Sequence, residues 1–411
     1  MRVIVESSFA ADGTGSLGSY TYVPFNEGTA TLALNTAEMD PNTTVQSRFE
    51  FNEMVLGPRE CNLKFTMDLA PTGSAASEGE TAVYGALGIL LKATFGGEDL
   101  GTGTTFAAGW TPITGNVASG AGLTAGGWIG WTNSAGVVEW RQIKAKSSNT
   151  ITLSHGFSGT PANSDVCYAA ATYYFTEDPS QSLQFIVSGQ ETHDRWLCLG
   201  CQAVGGVDIA IDPSGKGIPT ATFNMKGALY LDSTETAGAI NGTLADATYA
   251  YYNPIVEFVG DFHMFTVGTP TYTATVSRVH VSALSWKPKI AFVQVTSPAS
   301  NAAAQGGSPV YRWRGSRARP PLEGTFTTYM DSLTWWSKRD SKADMCQQYT
   351  IGTAAGSAMV LSAPTVQVLN PQRGASDQEI EGQVITYKAR RNTDTALTTE
   401  EARSPVCLVL G

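Results

Sequence analysis

Apolar and polar residues alternate in period 2 along two matching stretches of the chain, the pattern of a strand with one buried face. In the first, Ser47-Arg48-Phe49-Glu50-Phe51 runs through Met54 to Gly57-Pro58-Arg59, and Leu63-Lys64-Phe65-Thr66-Met67 follows. In the second, Ser277-Arg278-Val279-His280-Val281 runs through Leu284 to Lys287-Pro288-Lys289, and Ile290-Ala291-Phe292-Val293-Gln294 follows. The Ser-Arg pairs and the prolines stand at one common offset. A three-residue length change in the tip aligns the rest, at the place where length changes are tolerated best. Each copy predicts a long β-hairpin with a Pro-containing tip, and an internal repeat of this kind governs the whole fold.

A helix is predicted after each hairpin. Residues 82–95 carry Val83, Ala86, Leu87, Leu90 and Leu91 as a one-sided stripe, and residues 321–336 carry Leu322, Phe326, Met330, Leu333 and Trp336 at comparable spacing behind Pro321. Each copy then closes with a second strand pair. Residues 204–211 and 219–231 flank a turn at Asp212–Gly217, and residues 363–369 and 381–388 flank one through Asn370-Pro371-Gln372-Arg373-Gly374. Between these elements, residues 101–170 read as a small inserted β module of short strands and Gly/Pro turns. The expected organisation is an N-terminal arm (1–40), a first β domain (41–235) with the insert at 101–170, a linker (236–253), a second β domain (254–391) and a C-terminal arm (392–411). The fold class is mainly β: two tandem sandwich or barrel domains, each with a flanking helix.

Composition narrows the choices. With 42% hydrophobic and only 15% charged residues, the 411-residue chain is neither disordered nor a coiled coil. No stretch approaches the roughly 18 consecutive apolar residues of a membrane span, and the first residues lack the apolar core of a signal peptide. A formal charge of −10 is a poor basis for tight phosphate binding. The six cysteines, without an export signal, read as reduced thiols.

No catalytic constellation stands out. His155, His193, His263 and His280 lie in no nucleophile or metal context, and Ser214-Gly215-Lys216-Gly217 leads into a strand, not into a helix N-terminus that could hold phosphate. Cys198-x-x-Cys201 lacks the second ligand pair that zinc needs and sits in a strand-like stretch, so it reads as two buried apolar residues. The chain is expected to be no enzyme and to hold no cofactor or metal.

The order of long hairpin, helix, Cys198-Leu-Gly-Cys201-Gln-Ala-Val-Gly-Gly-Val-Asp-Ile-Ala-Ile-Asp, then Gly217-Ile-Pro-Thr-Ala-Thr-Phe-Asn-Met-Lys-Gly227, resembles the tail tube proteins of long-tailed, non-contractile bacteriophages. Ser164-Asp165-Val166-Cys167 in the insert is also similar to a phrase of tail proteins. The resemblance covers residues 41–391 and departs from the common pattern in being duplicated within one chain. It implies six-domain rings stacked into a hollow tube, with three duplicated chains per ring. It implies other tail proteins (terminator, tail tip, tape measure) as partners, DNA passing through the lumen without sequence-specific binding, no membrane, and a place in the virion tail after assembly in the bacterial cytoplasm. The bore is then expected to be net negative or neutral.

Under that resemblance the contact candidates are Arg48, Pro58, Arg59, Arg278, Lys287 and Lys289 in and around the hairpin tips, and Arg312, Arg314, Arg317 and Arg319 in the run Arg312–Arg319. That run reads as an exposed loop facing acidic residues of a neighbouring ring, with Glu78-Gly79-Glu80 or Glu98-Asp99 as the acidic side. A solvated loop and a contact to single-stranded nucleic acid are the other two readings. The competing function is a tail-tip, baseplate or adhesin-type protein that binds carbohydrate or a receptor through Trp110, Trp128, Trp131 and Trp140.

Overall fold

The computed structural model describes residues 1–6, 20–39, 55–69, 81–176, 181–188, 195–204, 206–211, 218–232, 261–266, 281–286, 292–295, 312–315, 323–329, 334–375, 381–391 and 399–411. The architecture is mainly β, and the described residues form four antiparallel sheets of 13, six, five and two strands. The main core lies where the 13-stranded sheet faces the five-stranded sheet. Cys61, Leu63, Phe65 and Met67 alternate inward from one, and Phe185, Cys198 and Cys201 meet them from the other. Phe65 stacks on Phe223 within its own sheet and meets Phe185 edge-on across the layer, at 6.1 Å between centroids.

The helix Thr81–Phe95 closes this core. Ala86, Leu87, Leu90 and Leu91 of its stripe are buried as the spacing requires, the last two at 0% exposure, and its last residue stacks on Phe175. The backbone leaves helical values at Gly85 (φ 53°, ψ −128°), in the left-handed region that glycine enters without a Cβ penalty.

The large sheet holds a repeat, but not between the two stretches that alternation matched. Along the large sheet stand Thr31–Met39, Val55–Asp68, Thr220–Gly227 and Val207–Ala210, followed by Val281–Trp286, Glu323–Tyr329, Glu381–Ala389 and Met359–Ala375. In both quartets the chain visits the positions in the order first, second, fourth, third. The partner of Val55–Asp68 is therefore the earlier strand Thr31–Met39, and there is no hairpin tip at Gly57-Pro58-Arg59-Glu60. Thr36 pairs with Arg59 and Glu38 with Leu56, so Gly57 and Pro58 together oppose Ala37 in a β-bulge. A bulge accepts a proline because it removes a ladder position that would need its N–H.

Three further expectations change. The strands flanking Lys287-Pro288-Lys289 pair elsewhere: Val281–Trp286 with Glu323–Tyr329, and Phe292–Val295 with Arg312–Gly315. The expected helix over 321–336 is instead the strand Glu323–Tyr329 and a short helix Thr334–Asp340. Thr325, Thr327 and Thr328 restrict the backbone towards β values, and Gly324, Phe326 and Thr328 alternate inward with period 2. Asn370–Gly374 is likewise no turn. It lies in the 17-residue strand Met359–Ala375, with Pro371 opposite Ile385. The hairpin with Glu381–Ala389 exists, displaced towards the C-terminus by a longer ladder. The turn Asp212–Gly217 and the linker 236–253 lie outside the described residues.

Residues 101–170 form the six-stranded sheet, and a bridge between Phe106 and Val117 joins its two outer strands, closing it into a barrel. Its interior is its own cluster, with Phe106, Trp110, Ile129, Trp131, Ile143 and Phe157 at the centre. The terminal segments are integrated into the sheets. Arg2–Val5 pairs with Leu183–Ile186, and Cys407–Leu410, fully buried, runs between Ala171–Tyr174 and Met359–Ser362. Within the segments expected as arms, 1–40 and 392–411, the described residues include the strands Arg2–Val5, Thr31–Met39 and Cys407–Leu410, and Val406, Leu408 and Leu410 supply the last with an inward-facing apolar row.

Candidate functional site

A chain with this many strands must manage its unpaired edges, since an open row of N–H and C=O groups is a template for further pairing. The two quartets meet head to tail. The last strand of the first, Val207–Ala210, pairs with the first strand of the second at Ile209–Trp286. Trp286 is fully buried at this seam.

The same two kinds of edge recur at the ends of the eight strands. Thr31–Met39 is a terminal strand of the large sheet; Val55–Asp68 is its single described strand partner. Its side chains alternate as an edge over a core requires: Thr31, Ala33 and Asn35 exposed, Leu32, Leu34 and Thr36 half-buried. At the other end, Met359–Ala375 is flanked on one side by Cys407–Leu410 and Glu381–Ala389. On its other side Asp344–Ile351 reaches only as far as Gln367. Beyond that point residues 368–375 have no described strand on that side, and Leu369 is 40% exposed.

Among the contact candidates, Arg59 is the one whose side chain is described. It lies opposite Thr36 beside the terminal strand, with its guanidinium 5.7 Å from the ring centre of Tyr230, whose hydroxyl meets that of Thr36 at 2.6 Å. Pro58 sits in the bulge. Arg312 and Arg314 lie in a strand paired with Val295 and Val293, which corrects the loop reading for the first half of that run. Arg48, Arg278, Lys287, Lys289, Arg317 and Arg319 lie outside the described residues, as do Glu78-Gly79-Glu80. Glu98 and Asp99 are no acidic loop: they lie in the strand Gly96–Leu100, and Glu98 is buried in an ion pair with Lys92 at 3.0 Å.

The tryptophans of the insert are core residues. Trp110, Trp128, Trp131 and Trp140 are 5%, 3%, 7% and 1% exposed. A ring that stacks on a sugar must present a face to solvent, and these fill the barrel and the layer behind it. Asp165 is structural as well, accepting hydrogen bonds from Trp131 Nε1 at 2.9 Å and from the Ala162 amide at 2.8 Å. Among the described residues no group of His, Cys, Asp and Glu side chains is arranged to hold a metal ion, and no helix is long and apolar enough to cross a membrane.

No family model and no curated protein matches the sequence. Among solved structures, one described as "Crystal structure of Hcp protein" aligns with 31% of this chain and 86% of its own, at 6% identity and a TM-score of 0.18. The two sheet edges were not legible as a site. The sequence signal for them is the alternation of residues 31–36, short and weakly polarised, and the repeat pointed to residues 47–71 in its place.

Proposed function

We propose that this protein is a structural subunit that polymerises edge to edge into closed rings stacked as a tube, the tail tube of a long-tailed, non-contractile bacteriophage. The observation that carries the reading is the head-to-tail junction inside the chain. Two copies of one four-strand unit already pair last strand to first at Ile209–Trp286, and two edges of the large sheet, whose path runs on to Gly96–Leu100, are again a first strand, Thr31–Met39, and a last strand, residues 368–375 of Met359–Ala375. A junction that joins two copies within a chain can join two chains by the same pairing. Such heterologous contacts generate a ring when the rotation closes. Three chains would place six units and 24 strands around a lumen.

The job is passive: DNA leaving a capsid slides through the bore. A net charge of −10 suits a wall that repels phosphates over a Debye length of about 8 Å, and clustered cations on that wall would retain the DNA by counterion release. The Arg312–Arg319 run is therefore placed away from the bore, towards neighbouring rings or the terminator, tail-tip and tape-measure partners.

Light scattering with negative-stain imaging of the untagged chain tests this. Rings or tubes growing in steps of three 43.5 kDa chains are expected. A chain that stays monomeric or dimeric at high concentration would overturn the reading.

A further inference from the structure

The six cysteines are all buried and free, and three of them converge. Cys198 and Cys201 are three residues apart, a spacing that puts side chains on opposite faces of a regular strand. Here a bulge intervenes. Cys198 pairs with Phe185 and Cys201 with Leu183, so Leu199 and Gly200 share the single opposing residue Gln184, and Gly200 takes φ 63°. Both sulfurs therefore enter the layer between the 13-stranded and five-stranded sheets, while Leu197 and Leu199 pack on the far face.

Cys61 arrives in that layer from the opposite sheet and neighbours both Cys198 and Cys201, its Sγ 3.9 Å from the Leu229 carbonyl oxygen. Its cross-strand partner is Gly227. A Cβ on Gly227 would lie 2.3 Å from Cys61 Sγ and 2.9 Å from Cys201 Sγ, so those two sulfurs are no farther apart than the sum of these distances. The missing side chain is what leaves room for them. The two neighbouring thiols hold the Cys61 thiol well below the usual thiol range, whereas burial and Cys61 itself push Cys198 and Cys201 well above it.

We propose that Cys61 is an oxidation site that cross-links the two sheets, forming a disulfide with Cys198 when a small neutral peroxide reaches the folded chain. The Cys61 sulfur gives its electron pair to one peroxide oxygen, the O–O bond breaks, and a sulfenic acid and one water result. The Cys198 sulfur then displaces the hydroxyl, which leaves as a second water. Two thiols are oxidised and one peroxide is reduced to two waters. Cys201 can exchange onto Cys61, with Cys198 leaving and taking up the proton that Cys201 gives up. The bond ties Val55–Asp68, which supports the edge strand Thr31–Met39, to the sheet behind it. This inference stands on the thiol geometry and does not rest on the tube reading.

The test treats the folded full-length chain with hydrogen peroxide or with oxidised glutathione, followed by non-reducing peptide mapping, thiol counting and thermal melting. Peroxide is expected to consume two of the six thiols, to give one cross-link between the peptides bearing Cys61 and Cys198/Cys201, and to raise Tm by roughly 5–10 °C. Oxidised glutathione, too bulky for a site with 0% exposure, is expected to act far more slowly. C201S should keep the cross-link and C61S should lose it. A cross-link that omits Cys61, intermolecular bonds alone, a C201S chain without the link, or six thiols surviving peroxide that oxidises them in urea would each overturn the proposal. If C61S fails to fold, the map of the unsubstituted chain and of C201S still decides.

Discussion

Residues in this fold are placed by what their cross-strand neighbour lacks. Gly97 faces Tyr174, Gly324 faces Tyr387 and Gly115 lies under Trp110; in each case a Cβ on the glycine would fall within 2.4 Å of the ring. The ring lies flat over the glycine and supplies the packing that a strand glycine otherwise forfeits. Gly374, in the adjoining hairpin, has only Val384 in ordinary contact at 3.5 Å. Gly324→Ala should therefore cost about 1–3 kcal/mol by driving the buried Tyr387 ring off its site, whereas Gly374→Ala should stay within about 0.5 kcal/mol of the parent. Urea unfolding of the two variants checks the difference, and equal effects would remove the argument. Such pairs are invisible in the sequence, because Gly324 and Tyr387 meet only through strand register. The burial of Leu90 and Leu91, in contrast, was legible from spacing alone, since a helix brings its stripe together locally.

At the scale of elements, the helix Glu400–Arg403 carries the most consequential buried acid. Glu401 is buried against the strand Gly96–Leu100 and the barrel turn at Thr124, whose hydroxyl reaches it at 3.2 Å. Burial, reinforced by the Asp99 carboxylate, pushes its pKa from 4.5 up to about 9. Between those values the folded chain holds a proton that the unfolded chain has released, so stability falls as pH rises through that window. Glu401→Gln, neutral throughout, should flatten the decline between pH 5 and pH 9 by a few kcal/mol, roughly 1.4 per pKa unit at most. Denaturant melts of both proteins at pH 5, 7 and 9 measure it, and parallel curves would refute the buried acid. Nothing in residues 392–411 announced this latch, because four helical residues have no period. The helix expected over 321–336 failed for a related reason: i, i+4 spacing also occurs by chance in a strand, and the threonines at 325, 327 and 328 decide the matter.

The whole molecule is legible in outline and not in detail. A mainly β fold follows from alternation and turn spacing, whereas the strand order follows from pairings between residues more than a hundred positions apart, such as Thr222 with Thr66. That order makes the assembly directional, and direction can be tested. A proline in Thr31–Met39 whose lost N–H points away from Val55–Asp68 (Ala33 or Leu34, whichever faces outward) blocks one edge and leaves the fold's own ladder intact. A proline at Gln372 or Arg373, chosen the same way, blocks the other edge. Each variant alone retains one competent edge of one kind only, so each should be monomeric at concentrations where the parent polymerises. Mixed, they should form a 1:1 dimer and stop there, because the sound first strand of one meets the sound last strand of the other and both remaining edges are closed. Sedimentation velocity on the separate and mixed variants reads this directly. If either variant dimerised with itself, the contact would be isologous, and head-to-tail closure would be lost along with the ring built on it.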